Sequence, residues 1–383
     1  MYLDMSSFRA ALLLAAPQVA QAQQVDWDRF ERMVGNGEYK SAYAQAKSVY
    51  DRSGDPNERF AAAFCMTTAA VRYQEDAIDS AVVRYRALLP SLDSLHQALC
   101  YAFLGSYDTA LAYESVLKRT PVYWIRNFCD PDGGDRDRNM TPTAYDVLVL
   151  KAIAVSDDAR EKISLQQKLV DFHKGDGDEL RIWHDRQLLF WMEHAPNVEV
   201  TLETYQGYIN KYRDSKCKER TWFYYNAATF CTAKADNVKA VAYCDTAVAI
   251  AKDSEGGSMC YNLRASIKHP QIDVVGDMTV IPGQPALGTV NYRNIGHAWF
   301  RIIPYQNHDS RGDEARKRLL AAKPIHQWDV ELPANSEYRY DKANFTLPAL
   351  KAGKYILLVS SSEDFKKHGF RSHQLDCTEM ALL

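Results

Sequence analysis

Residues 243–302 read YCDTAVAIAKDSEGGSMCYNLRASIKHPQIDVVGDMTVIPGQPALGTVNYRNIGHAWFRI, and the spacing of apolar residues changes within this stretch. Before Pro270 they recur three and four positions apart, as they do on one face of an α-helix. After Pro270 they alternate, as in Ala298, Phe300 and Ile302, which is the period of a β-strand. The sequence therefore predicts an α+β chain in which helices come first and strands follow.

Upstream of the change, from Trp27 to about Ile267, the three- and four-residue period continues throughout. Helices joined by short turns fold into antiparallel hairpins, and stacked hairpins form an α-solenoid. Runs such as EYKSAYAQAKSVY resemble the packing pattern of tetratricopeptide hairpins, although the strict repeat period is missing. We therefore predict an irregular, tetratricopeptide-like helical array over residues 23–269. Breaks between its helices are predicted at GNGEY, SGDPN, LPS, GSY and ADN, near Gly35, Gly54, Pro90, Gly105 and Asp236.

Downstream, residues 270–383 contain roughly six or seven short alternating runs, with the turn sequences IPGQP, NIG, PANSE and KAGK between them. Short strands joined by Gly/Pro turns are typical of an antiparallel sandwich in which one face of each strand is buried. A polar insertion from Gln306 to Lys323 contains ARKRLLAA and predicts a short helix on a long loop. The second part of the chain is thus predicted to be a β-sandwich domain.

The N-terminus predicts export. Arg9 precedes the apolar run AALLLAA, and Ala20-Gln21-Ala22 then forms a signal-peptidase site, so residues 1–22 are interpreted as a signal peptide and Gln23 as the first mature residue. A short N-terminal helix packed on the body is the alternative. No later run reaches the ~18 apolar residues of a spanning helix, so we expect a periplasmic or cell-surface protein without a transmembrane segment.

The formal net charge of -3 gives no basic excess, and a nucleic-acid partner is not expected.

Reactive residues form no known local motif. The sequence has no GxSxG, HExxH, GxxxxGK[ST] or GxGxxG motif, and no CxxC pair or Cys/His cluster with zinc spacing. It therefore predicts no catalytic, cofactor-binding or metal-binding residue. The chain has eight Cys residues. Four lie among apolar residues at helical spacing, where free, buried thiols are common, namely Cys65, Cys100, Cys231 and Cys244.

Several polar and aromatic groups can be interpreted either as functional or as purely structural. His184-Asp185 and Glu193-His194 suggest acid–base chemistry, but such pairs on helices are usually solvated faces or caps. The acidic loop from Asp130 to Asn139 suggests calcium, but its spacing fails the EF-hand register. Aromatic groups could form a platform for a sugar or peptide, although packing between helices explains them more simply. These groups are Trp222 to Tyr225, and Trp183 with Phe190-Trp191.

The opening stretch resembles the helix-to-sheet junction of Bacteroides-type bacterial α2-macroglobulin-like proteins. The matching features are SEGG followed by Cys and Leu, a proline-flanked turn and a YRN segment. Residues 337–365 (EYRYDKANFTLPALKAGKYILLVSSSEDF) resemble closing strands of that family, and residues 141–153 (TPTAYDVLVLKAI) resemble one of its helix openings. In this chain the junction features are Ser254 to Gly257, Cys260, Leu263, Pro282 to Pro285 and Tyr292 to Asn294.

The resemblance implies a macroglobulin-like, immunoglobulin-like sandwich at the start of a longer parent chain that inhibits endopeptidases by trapping them. A protease would then be the protein partner, met through the parent chain. This sequence contains no bait region and no Cys-Gln thioester motif, so trapping by this part alone is not expected. The alternatives are a free-standing tetratricopeptide-like adaptor that holds a peptide or glycan on its helical face, and an enzyme without a local motif.

Overall fold

The computed structural model describes residues 25–125, 140–276, 278–305, 312–333 and 336–379. The chain divides into two compact units, Met1–Glu199 and Val200–Leu383. Helices occupy the first unit and the beginning of the second, and two sheets follow, so the α+β order predicted from the sequence is confirmed. Within the described ranges, no helix has the length and apolar character needed to span a bilayer.

The first unit consists of helices that pack on their neighbours in sequence, most extensively α2 on α3 and α10 on α11. The described helices of this unit are α1 (Trp27–Gly35), α2 (Tyr39–Arg52), α3 (Pro56–Ala70), α4 (Ala77–Leu88), α5 (Ser94–Phe103), α6 (Tyr107–Leu111), α7 (Glu114–Leu117), α8 (Val122–Ile125), α9 (Ala144–Val155), α10 (Ala159–Phe172) and α11 (Asp178–His194).

Short polar residues determine where many of these helices begin. Asp26, Asp55, Asp93 and Asp158 each precede a helix and accept a hydrogen bond from a backbone N–H of its first turn. Those N–H groups have no partner within the helix, so the aspartates stabilise its start. The predicted breaks are confirmed, because helices end at Gly35, Arg52, Leu88, Phe103 and Ala233.

The second unit begins with α12 (Leu202–Lys211), α13 (Thr221–Ala233), α14 (Asn237–Ala251) and α15 (Glu255–Lys268). Helices α13, α14 and α15 all contact one another. Small side chains dominate their shared core, and small side chains allow helix axes to approach closely. The core includes Ala228, Cys231, Ala240, Ala247, Cys244 and Cys260.

The strands are β1 (Gln271–Val274), β2 (Met278–Val280), β3 (Ala286–Arg293), β4 (His297–Pro304), β5 (His326–Glu331), β6 (Asp341–Leu347), β7 (Gly353–Ser360) and β8 (Arg371–Cys377). They form a three-stranded sheet in the order β1-β3-β6 and a five-stranded sheet in the order β2-β8-β7-β4-β5. Both sheets contribute to one apolar core, where Phe345 of β6 stacks on Phe300 of β4 with ring centroids 4.4 Å apart. The insertion predicted to be helical contains α16 (Asp313–Ala321), and its residues 306–311 lie outside the described part of the chain.

The expectation that every strand pair is antiparallel is wrong at one place. Strand β2 runs parallel to β8, with Met278 opposite Leu375. After β1 in the first sheet, the chain passes Gly276 at a φ of +80° and enters the other sheet as β2. Alternation in the sequence shows which face of a strand is buried, but it does not identify the neighbouring strand, so this crossing could not be predicted.

Side chains at the end of β3 and in the turn to β4 bind the end of α15, where the chain changes from helix to strand. The Asn294 amide donates to the carbonyl oxygens of Ile267 at 2.7 Å and His269 at 3.2 Å, and Arg293 donates to that of Ser266 at 2.9 Å. Ser266 and Ile267 lie in the last turn of α15 and His269 follows it, in a region where backbone carbonyls lose partners within the helix. The sheet thereby caps the last helix.

Two glycines allow the start of α15 to approach its neighbours. A Cβ on Gly256 would lie 2.6 Å from the backbone nitrogen of Trp222 in α13, and one on Gly257 would lie 1.8 Å from the carbonyl oxygen of Ala251. Ser254 caps the same turn by accepting from the Gly257 N–H at 3.1 Å. No side chain larger than hydrogen fits at either position without moving the backbone.

We predict that Gly257→Ala destabilises the protein by about 3 kcal/mol, because the added methyl group forces the turn between α14 and α15 apart. Urea denaturation followed by circular dichroism measures this change. Gly207→Ala is the control, since that exposed glycine in α12 has nothing within 4 Å of its added Cβ, and there a gain of about 0.5–1 kcal/mol is expected. Equal stability of the two variants would contradict the close approach.

Candidate functional site

Three ionisable side chains meet in the interior of the first unit. Asp146, His173 and His184 are exposed by 0%, 1% and 0%. One oxygen or nitrogen atom from each lies within 4.8 Å of the others. We call this group the Asp–His cluster. Buried ionisable groups are costly unless they are paired, so such a cluster is a candidate for function.

The N-terminus of α9 positions the carboxyl group of Asp146. Thr143 caps the helix, and Asp146 Oδ2 accepts hydrogen bonds from the Thr143 backbone nitrogen at 2.8 Å and from its hydroxyl at 2.7 Å. This reciprocal arrangement is a capping box. It leaves Oδ1 directed at the ring of His173, whose Nε2 lies 2.6 Å away.

His173 lies in a short 3₁₀ turn, His173–Gly175, that follows α10. Its Nδ1 lies 2.7 Å from Oδ2 of Asp176, so both ring nitrogens are bonded to carboxyl groups. Asp146 is fully buried, whereas the side chain of Asp176 is 52% exposed. The imidazole therefore bridges a buried carboxyl group and one at the surface.

His184 completes the cluster from α11. Its ring stacks on that of His173, with centroids 4.5 Å apart and planes 9° from parallel. The amide nitrogen of Gln166, which is buried in α10, lies 3.3 Å from both Nδ1 and the backbone oxygen of His184. The cluster thus ties together α9, α10 and α11.

The two imidazoles have opposite electrostatic environments. Burial opposes the charged form of His173, but its hydrogen bonds to Asp146 and Asp176 raise its pKa above the ordinary value. Burial, and then the adjacent charge of His173, lower the pKa of His184 to about 4. Below the raised pKa of His173 and above about pH 4, the cluster therefore contains an imidazolium stacked on a neutral imidazole.

The geometry fits a hydrogen-bonded ion cluster better than a metal site. A zinc ion needs lone pairs that point at a common centre from about 2.0–2.2 Å. Stacked, nearly parallel rings do not direct their in-plane lone pairs to one point, and the 2.6 Å contact between His173 and Asp146 is a hydrogen-bond distance. A metal would have to rotate at least one imidazole and displace the shared proton.

The sequence interpretation of His184-Asp185 as a solvated face or cap is wrong, because these residues are only 0% and 1% exposed. Glu193 and His194 are both exposed at the end of α11, as predicted. His173 was not singled out, since no local spacing connects it with Asp146 or His184. The acidic loop from Asp130 to Asn139 lies outside the described residues.

The aromatic groups divide between core and surface. Phe223 is fully buried and stacks on Tyr208 and Tyr212, with centroids 5.0 and 5.7 Å away, so packing explains it as predicted. Phe190 departs from that prediction because it is 44% exposed, with its ring against those of Trp191 and His194.

The buried-thiol prediction is confirmed for Cys65, Cys100, Cys231 and Cys244, which are free and buried in the structure. Burial raises the pKa of Cys100 to about 11, as expected for an unreactive thiol.

A surface groove lies in the second unit, beside the end of α15. It has a volume of about 480 Å³ and is lined by residues of the junction and the five-stranded sheet, including Pro270, Asn294, His297, Trp299, Asp329 and His368. His297 Nδ1 lies 3.6 Å from Asp329 Oδ2, and both side chains are about half exposed.

No protein-family profile matches the chain, and no curated protein matches it. The geometry of the chain's own residues therefore carries the functional argument.

We predict that Asp146→Asn destabilises the protein by about 3 kcal/mol, because it leaves the buried imidazolium with only the surface partner Asp176. Nuclear magnetic resonance titration of the histidine ring protons should also show that the pKa of His173 falls. Asp51→Asn is the control, since the Lys47–Asp51 pair is exposed and screened by solvent, and its loss should change the free energy of unfolding much less. An unchanged His173 titration would show that Asp146 does not hold its charge.

We also predict that stability is greatest near about pH 6.5, the ordinary pKa of histidine. As pH falls below this value towards 4, the unfolded chain gains a proton that buried His184 resists, so stability decreases. As pH rises through the raised pKa of His173, the imidazolium and its ion pairs are lost, and stability again decreases. Urea unfolding across this pH range measures the decrease of stability on the acid side and on the basic side. His184→Gln should reduce only the decrease on the acid side. Loss of both decreases in this variant would contradict the assignment of the acid side to His184 and the basic side to His173.

Proposed function

We propose that the protein is a non-catalytic structural and binding module, the N-terminal part of an exported bacterial α2-macroglobulin-like protein. In this proposal the helices form an irregular α-solenoid and the two sheets form a macroglobulin-like sandwich. The module contributes to endopeptidase inhibition through a longer parent chain, and a protease is the partner of that parent chain.

The observation that carries the proposal is the role of the residues behind the family resemblance. Gly256 and Gly257 of the SEGG segment are the two positions where α15 approaches the neighbouring backbone too closely for a side chain. Arg293 and Asn294 of the YRN segment bond the carbonyl oxygens at the end of the same helix. The residues that carry the resemblance therefore fix both ends of α15, which connects the helices to the sheets. Such a fixed connection supports a structural role.

Residues 337–365 add a second support. They supply β6 to the three-stranded sheet and β7 to the five-stranded sheet. The two strands contribute Phe345, Leu347, Leu357 and Val359 to the apolar core shared by the sheets. This segment, which resembles the closing strands of the family, thus links both layers of the β part.

The Asp–His cluster supports a structural role for the first unit. Its groups are sealed from solvent, and the donors and acceptors of Asp146 and His173 are bonded to the protein itself. A general acid or base must reach the proton that it transfers, directly or through one water. A substrate cannot approach these groups without opening the packing of three helices.

The test is made on the parent chain, purified from its native cell and incubated with a panel of endopeptidases. Hydrolysis of a large protein substrate should fall strongly, while hydrolysis of a short peptide substrate stays near its starting rate, because an enclosed protease is shielded only from large substrates. A parent chain lacking residues 25–379 should inhibit less. Undiminished protein hydrolysis with every protease, or a native product that stops at Leu383, would overturn the proposal.

The second candidate is the free-standing adaptor that binds a peptide or glycan. The observation in its favour is the exposed ring of Phe190 beside Trp191 and His194, which could stack on a ligand. A native product ending at Leu383, together with ligand-dependent quenching of tryptophan fluorescence that Phe190→Ala removes, would favour the adaptor over the macroglobulin arm.

A further inference from the structure

Two cysteines of the second unit face each other across one helical hairpin. Cys244 lies in α14 and Cys260 in α15, and both are 0% exposed within the same apolar core. The other buried cysteines of the described helical parts are placed differently. Cys65 and Cys100 each belong to a separate core cluster of the first unit, and Cys231 lies on the third helix of this core, α13.

The hairpin places the two cysteines at nearly the same height. Cys244 comes seven residues before the end of α14 at Ala251, and Cys260 comes five residues after the start of α15 at Glu255. With a rise of about 1.5 Å per residue, they lie about 10 and 8 Å from the turn. An ion pair fixes this register, since Arg264 of α15 lies 2.5 Å from Asp245 of α14.

The two thiols also lie close enough for each to shift the pKa of the other, and both belong to the same apolar core. This interaction lowers the pKa of Cys244 and, together with burial, raises that of Cys260. A thiolate is the form that attacks a disulfide.

We propose that Cys244 and Cys260 form a disulfide that staples α14 to α15. One of the two cysteines, as its thiolate, attacks one sulfur of an external disulfide, such as that of a thiol–disulfide oxidoreductase or of oxidised glutathione, and releases a thiolate. The other cysteine, as its thiolate, then attacks the resulting mixed disulfide and releases the second thiolate. Two protons and two electrons leave the cysteine pair, and the external disulfide is reduced to two thiols.

The pair must react before the core closes, because neither sulfur reaches solvent in the folded chain. The bond would constrain the unfolded chain by closing a short loop around the turn that carries Gly256 and Gly257. It would form in the exported protein, since disulfides persist in oxidising compartments, and to that extent it rests on the export in the proposed function. The chemistry itself can be tested without export.

The experiment refolds the full chain in a buffer of reduced and oxidised glutathione, alkylates free thiols and maps tryptic peptides without reduction. Cleavage after lysine and arginine yields peptides 240–252 and 253–264, each with a single cysteine, Cys244 and Cys260. A linked species with the summed mass of the two peptides less two hydrogens is expected. The thermal midpoint of the second unit should also fall by roughly 5 °C or more on reduction.

Cys231→Ala is the matched control, because it removes a thiol from the same core and should leave the linked species intact. Cys244→Ala should abolish it and leave Cys260 alkylated only after unfolding. Recovery of both peptides unlinked from the refolded wild-type chain would overturn the proposal, whether or not the variants fold. If the parent chain contains the Cys244–Cys260 disulfide but inhibits no protease, the proposed function is overturned and the disulfide proposal is not.

Discussion

The close backbone approach at the start of α15 is the constraint on which the second unit depends. Gly257 lies against the carbonyl of Ala251, so α14 and α15 form a tight hairpin, and Gly256 brings the same turn against α13. The direction of α15 then determines where its last carbonyls point, and Arg293 and Asn294 bond those carbonyls from the turn between β3 and β4. The close packing at the start of α15 therefore also affects the position of the sheet residues that bind its end.

In the first unit, which has apolar cores of its own, three helices also meet at a group of charged and polar side chains. The N-terminal turn of α9, the turn after α10 and the middle of α11 meet at the Asp–His cluster, where a buried carboxyl group and a stacked pair of imidazoles replace apolar packing. A buried ion pair contributes little net stability over an apolar core of the same shape, but removing one partner is costly. The cluster therefore constrains how these helices are aligned more than it stabilises the unit.

The sequence predicted those structural features that are determined by residues close together in the chain. Breakers and periodicity gave the helix ends, the order of helices and strands and the burial of four cysteines, because each is determined within one or two turns of chain. Contacts between distant residues were not predictable. Asp146, His173 and His184 are separated by 27 and 11 positions, so no spacing rule connects them. The parallel pairing of β2 with β8 joins strands almost a hundred residues apart, and alternation alone does not identify such partners.

The buried polar groups of the two units respond to different chemistry. In the first unit, the stability of the Asp–His cluster depends on which imidazole is protonated, so it follows pH. In the second unit, Cys244 and Cys260 lie in one apolar core, and the change proposed there is in the oxidation state of sulfur. Neither arrangement gives a substrate access to a reactive atom, because both are sealed by the helices that they join. Each is better explained as a set of contacts that holds neighbouring helices together.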